Sequence, residues 1–120
     1  MKTIIKSVIT LLFVTFIAGS ISAQEKQSKI DTAKFEVKGV CKMCKERIEN
    51  AALIKGVKWV EWDKLSDTLT VIYRKDKLEL IKVHNSIAEA GHATNKVECN
   101  KEAYDKLPAC CAYLDGVKKH

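Results

Sequence analysis

Cys41-Lys42-Met43-Cys44 sets two thiols three positions apart. At that spacing both can converge on one soft metal ion, or they can close on each other as a redox disulfide. The pair stands where a β-like alternation ends and a helix-like period begins, so Cys41 belongs to a loop and Cys44 to a first helical turn. Unsatisfied N–H groups and the positive helix end there favour thiolate over thiol. Soft thiolates select Cu(I), Hg(II) or Zn(II) over hard ions, and an exposed loop of few ligands permits quick exchange with another dithiol. A thioredoxin-like use of the pair is the chemical competitor. The only proline, Pro108, lies beyond the predicted domain, and the first half of the chain has the wrong element order and too few residues for that fold.

Other donors are scattered along the chain. The cysteines number 5, an odd count that leaves at least one thiol free, metal-bound or paired between molecules. His92 follows Gly91 at the start of a predicted fourth strand antiparallel to the first, near the end where Cys41 sits. Its imidazole can serve as a third ligand, hydrogen-bond a thiolate, or stand solvated. His84 flanks an apolar helical stripe and reads as structural, while His120 is terminal and carries no signal. Cys99, ~20 Å from His92 along that strand, reads as a small buried apolar residue. Cys110-Cys111 follows a segment that can cover ~20 Å, just enough to return to the metal loop. There the two thiols either complete a three- or four-sulfur site with Cys41 and Cys44, or close a disulfide with the loop. That bridge would be worth ~4 kcal/mol in the chain-entropy model. A separate tail site and an exposed thiol pair are the remaining alternatives.

Periodicity supplies the scaffold. Phe35 and Val37 alternate with Lys34, Glu36 and Lys38 as a half-buried strand, and Cys44, Ile48, Ala51 and Ala52 then recur at helical spacing up to Gly56. Two strands at 57–62 and 68–73 flank the polar turn Lys64-Leu65-Ser66-Asp67. Leu80, Val83, Ile87 and Ala90 mark a second helix ending at Gly91, and 93–99 reads as a fourth strand. The order βαββαβ predicts an α+β, ferredoxin-like sandwich with both helices on one face of an antiparallel sheet, followed by a short helical tail. Trp59 and Ile72 are expected to point away from the helices, covered by Tyr104, Leu107, Tyr113 and Leu114 of the tail.

With those elements in place, 35–97 resembles the heavy-metal-associated domain, the family of small copper chaperones, periplasmic mercury-binding proteins and metal-ATPase N-terminal modules. The residues that carry the resemblance are Gly39-Val40-Cys41-Lys42-Met43-Cys44, Arg47-Ile48-Glu49, Gly56-Val57, Val71-Ile72-Tyr73 and Ala90-Gly91-His92. The resemblance implies that Cys41 and Cys44 bind Cu(I) in near-linear two-thiolate coordination. It also implies transfer by ligand exchange to a metal-transporting ATPase, another efflux component or another metalloprotein. The lead into Cys41 is one residue shorter than the family's usual Gly-Met-Thr-Cys.

The first residues read as a signal peptide. Lys2 and Lys6 precede an apolar run at 8–18, and Ile21-Ser22-Ala23 offers a cleavage point before Gln24. The run is shorter than the ~20 residues of a spanning helix, so a periplasmic protein without a stable membrane anchor is expected. The organisation is therefore a leader at 1–23, a flexible linker at 24–32, the metal domain at 33–99 and the cysteine-bearing tail at 100–120. The formal charge of +6 is spread as Lys/Glu alternation, with no basic stripe interleaved with aromatics to suggest nucleic acid. No base, nucleophile and oxyanion constellation points to an enzyme. The competing functions are a thiol-disulfide redox protein and a disulfide-stapled interaction domain.

Overall fold

Period-two alternation builds the sheet. In the computed structural model, which describes residues 29–120, β1 (Ile30–Glu36), β2 (Val57–Asp63) and β3 (Thr68–Arg74) pair antiparallel in the order β1-β3-β2. The expected leader at 1–23 lies outside the described residues. Phe35, Leu69 and Trp62 lie in one cross-strand row, and Ala33, Val71 and Val60 lie in the next. Phe35, Leu69, Val71, Tyr73 and Trp62 are buried. Their alternation gives the sheet one apolar face.

That face receives two helices. In α1 (Lys42–Ala52) the buried residues are Cys44, Ile48 and Ala52, four apart; in α2 (Leu80–Glu89) they are Val83, His84, Ile87 and Ala88. Ser86 ties the helices together by donating from Oγ to the carbonyl of Ala51 at 2.6 Å. The architecture is the ferredoxin-like sandwich the element order predicts. Among the described residues no helix is long and apolar enough to cross a membrane.

Three expectations need correction. The strand begins at Ile30, four residues before the alternation does, and Thr32 pairs with Ile72. Backbone pairing needs no apolar side chain, so 30–32 read as linker. The fourth strand at 93–99 is reduced to a single bridge between Val37 and Thr94. Thr94 Oγ1 accepts the N–H groups of Lys96 and Val97 at 3.2 and 3.1 Å, which turns the chain away from the sheet. A hydroxyl that captures nearby backbone donors competes with the ladder. Finally, Trp59 does point away from the helices, opposite Ile72, but the tail leaves it 46% exposed.

The tail runs instead over the turn after α2. Its helix α3 (Lys101–Asp105) is capped by Asn100, whose Oδ1 accepts the Ala103 N–H at 3.0 Å. The helix rests on Gly91, which has φ +102° and where a Cβ would lie 3.1 Å from the Ala103 backbone. Only glycine suits both the left-handed backbone and the close approach. The Tyr113 hydroxyl donates to the Gly91 carbonyl at 2.8 Å and accepts the Ala93 N–H at 2.9 Å. Tyr104 packs edge-on against Tyr113. Both tyrosines are thus committed far from Trp59.

Two imidazoles are sealed into this core. His84 stacks on Phe35 with ring centroids 3.9 Å apart and reaches Thr94 Oγ1 at 2.7 Å, as befits the structural residue expected. Burial, with Lys96 nearby, lowers its pKa; burial also lowers that of His92, outweighing the opposing bond to the Lys38 carbonyl, with a smaller contribution from the Arg47 charge. Both are therefore neutral when folded, whereas the unfolded chain protonates them near ~6.5. Their contribution to stability is present above that value and lost as the pH falls below it. The urea midpoint is expected to drop between pH 6.5 and 5, and His84→Gln to drop less; identical pH slopes would contradict this.

Candidate metal centre

The lead into Cys41 is shaped by one buried ring. Trp62, 1% exposed, donates from Nε1 to the Val37 carbonyl at 2.9 Å. Gly39 passes against its face, where a Cβ would lie 2.9 Å from the ring and 3.0 Å from Cys44 Cβ. Glu49 locks α1 to the same strand, accepting the Trp62 backbone N–H at 2.9 Å and Lys45 Nζ at 2.7 Å. The loop from Val37 to Cys41 is therefore held between β2 and α1.

Cys41 occupies the N-cap of α1 in extended conformation and Cys44 its first turn. Their Sγ atoms are 3.3 Å apart. Cys111, on a 3-10 turn at Ala109–Cys111, brings its own Sγ to 3.3 Å from that of Cys41. All three are buried, and their sulfurs lie within 4.8 Å of one another. Arg47 Nη1 approaches Cys111 Sγ at 3.8 Å, placing a positive charge beside the cluster.

The cluster holds its first negative charge readily. Burial pushes the Cys41 thiol up, but the Cys44 N–H, the Cys111 and Cys44 thiols and the Met43 N–H outweigh it and bring its pKa to about 7. Burial pushes Cys44 up, and it pushes Cys111 up further with the help of both neighbouring sulfurs. One thiolate steadied by two thiols is the resulting state near neutrality. A trigonal ion at ~2.3 Å from each sulfur needs sulfurs ~4 Å apart, so a shift of under ~1 Å would admit it. A donor set made only of sulfur suits soft ions.

A second group of donors shares Cys41. Cys41, Cys110 and His120 also lie within 4.8 Å of one another, with burial falling from buried to half-buried to exposed. Cys110 Sγ is 3.6 Å from Met43 Sδ and 3.9 Å from Cys111 Sγ. His120 is carried there by its backbone N–H, which donates to the Val40 carbonyl at 2.9 Å, and by a 2.6 Å ion pair between Lys119 and Asp67.

His92 joins neither group. Its Nδ1 donates to the Lys38 carbonyl at 2.8 Å and its ring stacks on Tyr113, so it braces the strand end that leads to the loop. Cys99 stands half-buried beside Tyr113, apart from both groups. The spacing of Cys41 and Cys44 and the reach of the tail point to the sulfur cluster. Nothing in the sequence marks His120, because its place depends on contacts of the last residues with Val40 and Asp67.

No protein-family model matches the chain, and no curated protein matches it. Solved structures do. The CopZ metallochaperone superposes with a TM-score of 0.52 at 23% identity, covering 53% of this chain and 98% of that one. Oxidized MerP from Ralstonia metallidurans CH34 superposes with a TM-score of 0.52 at 22% identity, covering 55% and 94%. The apo heavy-metal-associated domain of the copper chaperone for superoxide dismutase gives 0.50 at 19%, covering 77% and 93%. These likenesses establish that the chain has the fold of heavy-metal-associated domains.

Proposed function

We propose that the protein is an exported carrier of a soft metal ion, Cu(I) foremost, held as cargo by the thiolates of Cys41, Cys44 and Cys111. The observation that carries this is the convergence of three buried sulfurs at the end of β1 and the start of α1. The fold it shares with CopZ and the copper chaperone domain supports it. Three sulfurs suit Cu(I) or Hg(II); Zn(II) in closed structural sites takes four ligands. The ion would pass by ligand exchange to a metal-transporting ATPase, another efflux component or a metalloprotein, and we ascribe no catalytic step to the chain. Export rests on the leader-like residues at 1–23. Reduced protein loaded with one equivalent of Cu(I) should retain it against a strong chelator, and X-ray absorption should count three sulfurs at ~2.3 Å. Failure to retain the ion would overturn the proposal, and a count of two would remove Cys111 from it.

One observation favours a redox alternative. A thiol with a pKa of about 7, 3.3 Å from two others, resembles an attacking cysteine with resolving partners. Rapid disulfide exchange with a dithiol, in protein that retains no Cu(I), would favour that alternative.

A further inference from the structure

We propose a second soft-metal site at the mouth of the first, formed by Cys41, Cys110 and His120, in which the Cys41 thiolate bridges two Cu(I) ions. It rests on the reading that the inner sulfurs hold the first ion. The two donor groups share one atom, Cys41 Sγ, and no other ligand. A thiolate has more than one lone pair and is the soft ligand best able to serve two soft ions at once. The inner group is buried throughout, while the outer grades to exposed His120, so the second ion would sit toward solvent.

The remaining chemistry of the mouth agrees. Met43, 47% exposed, places its Sδ 3.6 Å from Cys110 Sγ and adds a thioether beside the outer group. His120 Nδ1 donates to the Lys118 carbonyl at 2.8 Å, which leaves Nε2 as the lone-pair nitrogen. The His120 carbonyl accepts from Lys64 Nζ at 3.0 Å, a further tie that positions the ring. Charge does not oppose a second ion. One Cu(I) on three thiolates carries two net negative charges, and adding Cu(I) together with the Cys110 thiolate and a neutral imidazole leaves that sum unchanged. Each thiol yields its proton to solvent on binding, and copper stays in the Cu(I) state throughout.

The inner ion is enclosed and the outer one open, so the two should differ in exchange. The outer ion is the one a partner dithiol removes first.

Native mass spectrometry of the reduced full chain, titrated with Cu(I), tests this. Wild type is expected to saturate at two ions, and a chelator to remove one about tenfold or more faster than the other. Cys110→Ser and, separately, His120→Ala should each saturate at one. Neither residue is fully buried, so folding is not at stake. Copper absorption spectra of the two-ion form should show a copper–copper vector that the one-ion form lacks. Saturation of wild type at one ion, or two ions still bound by both variants, overturns the second site while leaving the first intact. A wild type that holds none overturns both.

Discussion

Cys41→Ser is expected to cost the protein its grip on Cu(I) more severely than any other single substitution. Cys41 is the only donor common to both groups, with its Sγ 3.3 Å from the sulfurs of Cys44 and Cys111. Removing an outer-shell partner of a metal typically lowers affinity ~10–100-fold. Loss of a thiolate that touches the ion should exceed that range, since a serine hydroxyl stays protonated at neutral pH and is a hard donor. Cys111→Ser should weaken retention less, because two thiolates persist in the geometry that heavy-metal-associated domains are expected to use. The fold should survive the change at Cys41: it is the N-cap of α1, a position where serine is among the preferred residues. Chelator competition gives the affinities and circular dichroism the fold. Unaltered retention by Cys41→Ser would place the ion elsewhere.

Trp62→Ala is expected to have the largest effect on stability. The side chain is almost wholly buried, fills the space above Gly39, and satisfies the Val37 carbonyl through Nε1. Truncating a buried aromatic residue costs ~3–5 kcal/mol, a large part of the ~5–15 kcal/mol that holds a domain together. Trp62→Phe keeps most of the packing and loses the hydrogen bond, which is worth ~1 kcal/mol. Urea denaturation of the reduced, metal-free protein separates the two. Equal midpoints for Trp62→Phe and Trp62→Ala would show that the hydrogen bond, not the ring, holds the loop. Because Gly39 packs between this ring and Cys44 Cβ, loosening the ring should also blur the geometry of Cys41 and Cys44.

What could be read in advance was local. Leu69, Val71 and Tyr73 alternate, and Val83 and Ile87 recur at helical spacing, because a strand or a helix facing an apolar core must repeat its buried side chains. The fourth strand failed on an equally local ground: Thr94 binds the N–H groups of Lys96 and Val97, and no periodicity reveals which partner a hydroxyl takes. Trp59 was placed on the correct face of the sheet, yet its exposure turned on where the tail goes.

The path of that tail marks the boundary between the two kinds of information. By itself the sequence determined the strand and helix periods, the sandwich they make, and a thiol pair at the junction of β1 and α1, since all of these depend on neighbours a few positions apart. Only the tertiary structure decided that Cys111, 70 positions from Cys41, is the third sulfur, that His92 braces the Lys38 carbonyl, and that His120 reaches the mouth of the site. Those outcomes depend on α3 resting on Gly91, Tyr113 bonding the turn after α2 and Lys119 pairing with Asp67. Each joins residues more than ten positions apart, and such contacts leave no period in the chain for a reader to find.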